Sequence, residues 1–187
     1  MSGLEYQEGR TELNELGEFA LIERLTDGFE PRRPNTIKGV GDDCAVTGAG
    51  KVKTLISMNS LAEGVDFDMM YTPLKHLGYK AVAVAISNIA AMNGTPTHIE
   101  VGVSVSNRYS VEALEELYAG IRLCCERYDV DLVGGNIGSS RSGMVLTVTA
   151  IGEADEGKIT YRNGAKCHDK IFVFLRSGTF LSGPDCF

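Results

Sequence analysis

The sequence predicts an α+β domain, with helices on one face of a mixed or mostly antiparallel sheet. Three observations predict it: helical apolar spacing with matching start and stop residues over residues 72–94 and 110–128, short runs of strand-like alternation around them, and an element order of helix, strand pair, helix, strand, helix, two strands. At about 150 residues per domain, a chain of 187 residues holds one full domain and a remainder.

The first element is an amphipathic helix over residues 13–26, where Leu16, Phe19, Ala20, Ile22 and Leu25 recur at near-helical spacing until Gly28, Pro31 and Pro34 end it. Residues 39–46 and 52–57 flank a Gly-rich turn and read as a hairpin, followed by a polar loop over residues 57–67. Thr72 before Pro73 marks a helix start, with threonine as N-cap and proline at the first helical position; Asn93-Gly94 and Pro96 mark its stop. Residues 99–105 form a half-buried strand. Ser110 then caps a helix whose apolar stripe is Val111, Leu114, Leu117, Tyr118, Ile121, Cys124 and Tyr128. A short strand over 130–133 ends at Gly134-Gly135, another covers 144–151, and a turn at 161–164 precedes the last apolar run, 171–175. Residues 176–187 have no periodicity.

Composition narrows the function. A net charge of −7 argues against a nucleic-acid-binding face, and 43% hydrophobic with 23% charged residues is ordinary for a soluble globule. The 22 glycines point to tight turns or to backbone approaching a ligand. Five cysteines without a C-x-x-C pair fit reduced thiols and a cytoplasmic setting, and the acidic N-terminus does not resemble a signal peptide. The most apolar stretch, residues 81–92, is interrupted by Asn88 and is shorter than the ~20 residues a membrane span needs.

Several segments can carry chemistry. Asp42-Asp43 follows a Gly-x-Gly turn and precedes a strand, so the pair either holds a hard divalent cation or caps backbone N–H groups. Asn88 falls on the apolar stripe of its helix and must find a partner, either a buried backbone group or a ligand at the helix end. The loop Gly134-Gly135-Asn136-Ile137-Gly138-Ser139-Ser140 can present successive N–H groups to a phosphate or be an ordinary turn. Thr47-Gly48-Ala49-Gly50-Lys51 is not a phosphate-binding Walker loop, since Ala45 stands where a glycine is needed and Val52 where a metal-binding hydroxyl is needed. The three histidines lack metal-ligand spacing.

Taken together, Leu16-Gly17-Glu18-Phe19, Gly41-Asp42-Asp43-Cys44-Ala45-Val46, Glu63-Gly64-Val65-Asp66-Phe67, Leu77-Gly78-Tyr79-Lys80-Ala81, Ser87-Asn88-Ile89-Ala90-Ala91-Met92, Gly134-Gly135-Asn136 and Asn163-Gly164-Ala165 resemble the thiamine-monophosphate kinase family. More broadly, the chain resembles the N-terminal domain of the aminoimidazole-ribonucleotide synthetase superfamily. The resemblance implies a homodimer formed through the sheet, ATP bound with several Mg²⁺ ions, and transfer of the γ-phosphate to thiamine monophosphate. It implies metal positions at Asp42, Asp43, Ser57, Asn59, Asn88 and Asn136. It also implies ATP contacts at Tyr118, Gly135, Asn136 and Arg162, and a substrate contact at Asp66. It divides the chain into an extension (1–12), the synthetase-like domain (13–155) and the start of a C-terminal domain (156–187).

Departures from the family pattern matter. The chain reads Ser57-Met58-Asn59 where relatives usually read Thr-Thr-Asp, Ser87-Asn88-Ile89 for Ser-Asp-Ile, Val65-Asp66-Phe67 for Val-His-Phe, and Asn136 for the commoner Asp. Asparagine keeps a carbonyl oxygen but removes the charge that offsets cations beside a polyphosphate, which predicts weakened metal binding and impaired transfer. Two readings therefore stay open: an ATP-dependent thiamine-monophosphate kinase, and a catalytically inactive dimerisation or nucleotide-binding module of the same superfamily. A third, another enzyme of the superfamily of the hydrogenase-maturation or selenophosphate-synthesis type, is weaker. The kinase ancestry requires Asp43, Asn59, Asn88 and Asn136 to share one cavity.

Overall fold

The computed structural model describes residues 13–172. The expected N-terminal extension, the tail at 176–187 and most of the apolar run at 171–175 lie outside the described residues.

Two compact units are distinguished. Residues 13–30 and 165–172 belong to one, and Pro31–Gly164 forms the other. In the first, helix α1 (Leu13–Thr26) forms where apolar spacing places it, but Gly17, at φ 70° and ψ 168°, interrupts the helical path. Its apolar stripe is largely exposed, Phe19 at 71% and Leu25 at 66%.

The larger unit is built on a six-stranded sheet of β1 (Thr36–Lys38), β2 (Ala45–Thr47), β3 (Val52–Ala62), β4 (Thr95–Val105), β5 (Asp131–Ser139) and β6 (Val145–Asp155), in the order β1-β2-β3-β6-β4-β5. Every pairing is antiparallel except β4 with β5, so the sheet is mixed, as expected. Burial alternates along β3: Lys53, Leu55, Ser57 and Leu61 are buried, whereas Val52, Ile56, Met58 and Ser60 are exposed. Helix α2 (Leu74–Ala91) covers the first set, packing over β3, β6 and β4, with α3 (Val111–Tyr128) against α2. Leu55, Leu77, Ile89, Ile99 and Leu146 fill the core between them. No helix of this unit lies on the opposite face among the described residues.

Every strand departs from the sequence reading in its limits: the extended segment expected over 39–46 is strand only at Ala45–Thr47, β4 starts four residues early at Thr95, and β6 runs on to Asp155. β3 continues through Met58, Asn59 and Ser60 into the segment read as a loop, because β6 pairs with it from Val52↔Asp155 to Ala62↔Val145 and satisfies its backbone whatever the side chains. β5 runs past Gly134-Gly135 to Ser139, held in register by β4 from His98↔Asp131 to Val105↔Ser139. β1 is a three-residue strand that periodicity cannot reveal.

Helix ends follow local chemistry more closely. Ser110 accepts the Ala113 N–H at 3.3 Å and caps α3 as expected. α2 starts at Leu74 with Pro73 in the N-cap position and no side-chain cap; the Thr72 N–H donates to the Asp68 carbonyl at 2.9 Å instead. At its other end Asn93 adopts φ 60° and the Gly94 N–H donates to the Ile89 carbonyl at 2.9 Å.

The two long helices meet backbone to backbone. A Cβ on Gly78 would lie 2.0 Å from the Leu117 carbonyl oxygen, and one on Gly120 would lie 1.8 Å from that of Lys75. Among the described residues no helix is long and apolar enough to cross a membrane.

Candidate functional site

The Gly-rich turn before β2 sets two carboxylates beside the segment that follows β6. Gly41 takes φ 106°, a left-handed conformation that glycine adopts readily, and brings Asp42 back so that its Oδ1 accepts the Asp43 N–H at 3.0 Å. The 3₁₀ turn Arg162–Gly164 closes over the pair: the Arg162 N–H approaches both Asp42 oxygens at 3.3 and 3.4 Å. The Arg162 guanidinium donates to Asp43 Oδ1 from Nε at 3.2 Å and from Nη2 at 2.5 Å. Asp42 thus acts as a backbone cap, whereas Asp43 is held by the Arg162 side chain.

Behind this turn lies a polar contact on the helix-covered face. Asn88 of α2 donates from Nδ2 to Ser57 Oγ of β3 at 2.7 Å. The amide that the apolar stripe leaves in need of a partner thus meets a buried hydroxyl on the neighbouring strand rather than a backbone group. Cys44 joins the two halves. Its N–H donates to the Met92 sulfur at 3.0 Å, and its thiol lies beside Ser57 and the two aspartates. Burial, and then the charges of Asp43 and Asp42, push the Cys44 thiol up to about 12, so it stays protonated and unreactive at neutral pH.

The other expected site residues are distributed differently. Asn59 falls two residues after Ser57 on the same face of β3, half-buried. Asp66 is exposed, and its Oδ2 accepts the Ala62 N–H at 2.7 Å, locking the turn after β3, while Lys80 Nζ donates to its carbonyl at 2.9 Å. Tyr118 lines a groove of about 520 Å³ along α3 with Lys75 and Arg122. Gly135 permits the tight β4–β5 pairing, since a Cβ there would lie 2.0 Å from the Val101 carbonyl oxygen. Asn136 pairs with Gly102, which lies opposite Thr147 on the uncovered face. It stands three strands from β3, about 14 Å away, and on the other side of the sheet. The fold thus gathers Asp42, Asp43, Ser57, Asn88 and Arg162 into one connected group with Asn59 near it, and does not bring Asn136, Tyr118 or Asp66 into that group.

This group suits one kind of metal site. Among the described residues no three His, Cys, Asp or Glu side chains converge to form a self-sufficient metal cage. Mg²⁺, however, is commonly held by one or two carboxylates together with waters and substrate phosphates. Asp42 and Asp43, with the oxygens of Ser57 and Asn88 nearby, match that partial donor set.

The model of AIR synthase related protein, N-terminal domain, matches residues 41–154, more than half of the chain. The chain belongs to this family. Its AIR synthase related domain is similar to thiamine-monophosphate kinase of Bacillus subtilis (strain 168), 34% identical over 175 residues that cover 90% of this chain and 52% of the relative. The Aquifex aeolicus (strain VF5) enzyme of the same name is 34% identical over 167 residues, covering 89% of this chain and 50% of the relative. Among solved structures, AaThiL complexed with AMPPCP and TMP aligns with a TM-score of 0.75 at 30% identity, covering 85% of this chain and 48% of that one. The chain spans about half the length of the curated relatives it matches.

Two features of this AIR synthase related domain were not visible in the sequence. The Cys44 N–H to Met92 contact spans 48 positions without a motif to announce it. Glu63 anchors a second network: Arg108 donates to its Oε1, and the Tyr109 hydroxyl and Met144 N–H donate to its Oε2 at 2.7 and 2.8 Å. Burial pushes the Glu63 carboxyl up, but the bonds from Tyr109, Arg108 and the Met144 amide outweigh it and hold the group below the usual carboxylate range.

Proposed function

We propose that this chain carries the ATP- and Mg²⁺-binding part of a thiamine-monophosphate kinase, in which the γ-phosphate of ATP passes to thiamine monophosphate to form thiamine diphosphate. The observation that carries the reading is the Asp42-Asp43 turn joined through Cys44 to the Ser57–Asn88 contact, in a chain 34% identical to an enzyme of that name over 90% of its length. Asp43 supplies negative charge beside the triphosphate, and Asp42 fixes the turn that aims it. Arg162, now on Asp43, is a fork of donors suited to phosphoryl oxygens. Bound magnesium would neutralise phosphate charge as it develops in transfer. Ser57, Asn59 and Asn88 complete the proposed metal positions beside Asp42 and Asp43; Asn136, on the other face of the sheet, would serve a further metal, Tyr118 and Gly135 the nucleotide, and Asp66 the substrate.

The test is direct. With ATP, Mg²⁺ and thiamine monophosphate, the chain is expected to form thiamine diphosphate slowly, and Asn59→Asp combined with Asn88→Asp to raise the rate by restoring carboxylates. Product from neither protein, measured by chromatography, would leave the inactive-module reading.

The proposal includes a cytosolic homodimer formed through the uncovered sheet face, where Met58 is 67% and Ile56 38% exposed beside Ile151 and Val145. Light scattering is expected to give twice the chain mass, and Met58→Lys to halve it. A monomer from the unaltered chain would remove this part of the reading.

A further inference from the structure

β4 and β5 are the one parallel pair of the sheet, and a cavity of about 570 Å³ opens where their carboxyl ends meet, at Val105 and Ser139. Such strand ends are a recurrent place for small ligands in open sheets that contain parallel strands. Its walls include Ser106, Asn107, Tyr109, Ser139, Ser140 and Arg141, with no acidic residue among those that line it. Ser106 is buried, and its hydroxyl is the one fully buried side-chain polar atom among the described residues without a hydrogen-bond partner. A buried hydroxyl left in that state is costly unless something completes it.

Neighbouring groups sharpen the chemistry. Glu63, a carboxylate bonded to the lining residue Tyr109, has both oxygens engaged by Arg108, Tyr109 and the Met144 amide. Ser140 is occupied within its own loop: its N–H donates to the Val105 carbonyl at 2.8 Å, and its hydroxyl donates to the Ser142 carbonyl at 2.7 Å. Arg141 makes no ion pair with a described residue. An unopposed guanidinium, an unpartnered hydroxyl and the exposed Ser139 at the end of β5 suit a tetrahedral oxyanion, and the volume leaves room for a body attached to it.

We propose that this cavity is a phosphate-binding site for a phosphorylated small molecule, with Arg141 as the cation and Ser106 and Ser139 as hydroxyl donors. It is separate from the Asp42-Asp43 group. Ser57 lies level with Ala150 and Ile99, six residues before Val105, which is about 20 Å along the sheet. The proposal does not rest on the kinase reading.

The experiment titrates the ¹⁵N-labelled chain with inorganic phosphate and, separately, with ribose 5-phosphate, at ionic strength held constant with chloride. Saturable shifts are expected at the amides of Ser106 and residues 138–141, with residues 42 and 43 unmoved. Tighter binding of ribose 5-phosphate assigns the site to an esterified phosphate, whereas equal binding assigns it to the free anion; both support a phosphate site. Arg141→Gln is expected to weaken binding about tenfold, Arg141→Lys much less. Ser106→Ala is expected to leave the melting temperature of the phosphate-free chain unchanged or higher, while reducing the rise that phosphate produces. Absence of saturation, shifts that persist in Arg141→Gln, or a phosphate-free Ser106→Ala protein that melts lower would each overturn the proposal.

Discussion

Gly120→Ala is expected to lower folding stability by about 2 kcal/mol or more, a drop of roughly 4–8 °C in melting temperature for a chain of this size. The added methyl would sit 1.8 Å from the Lys75 carbonyl oxygen and 2.7 Å from its carbon, closer than real Cβ atoms come. Alanine's better helix propensity offsets about 1 kcal/mol of this, but the clash is with backbone, and no rotamer change relieves it. Relief requires α2 to move, and α2 also carries Leu77, Ala81, Ala85 and Ile89 into the core. Gly157→Ala is the control, because a Cβ there meets nothing within 4 Å. Urea denaturation of the two variants distinguishes the effects, and equal midpoints would show that the helices separate at no cost.

Asp43→Asn is expected to do the reverse: to spare the fold and damage the site. Its ion pair with Arg162 is half open to solvent, the two side chains being 25% and 46% exposed, and pairs of that kind contribute no more than about 1 kcal/mol. Melting should therefore barely change. On the proposed reading, binding of an ATP analogue with Mg²⁺ should fall at least about tenfold in calorimetry, since the change removes the one carboxylate of the group not used as a backbone cap. Unchanged affinity would reduce the Asp42-Asp43 turn to a piece of loop architecture.

Local chemistry written in the sequence proved readable where it acts over a few residues. Ser110 capped its helix and Asn93-Gly94 closed the preceding one, because caps depend on neighbours within a turn. The α+β class followed from those helices and the alternating strands. Strand limits were less legible: Met58-Asn59-Ser60 looks like a loop in isolation, and only β6, some ninety positions away, makes it strand. The site divided along the same line. Asn88 announced itself as a polar residue on an apolar face, but its partner Ser57 comes from 31 positions earlier and no spacing rule connects them. The expectation that Asn136 would share their cavity failed to foresee the sheet order, which places β5 at the far edge and turns that residue to the other face.

That edge position has a dynamic consequence. β5 is exposed along nearly its whole length, includes three glycines, and is bonded to a neighbour on one side only. Little apolar surface resists its detachment, so the amides of β5 should open to solvent exchange well before those of the β3–β6 ladder at the centre. The Ser139–Arg141 segment hangs from an edge strand of the sheet, and whatever binds there would tighten the edge without any rearrangement of the core.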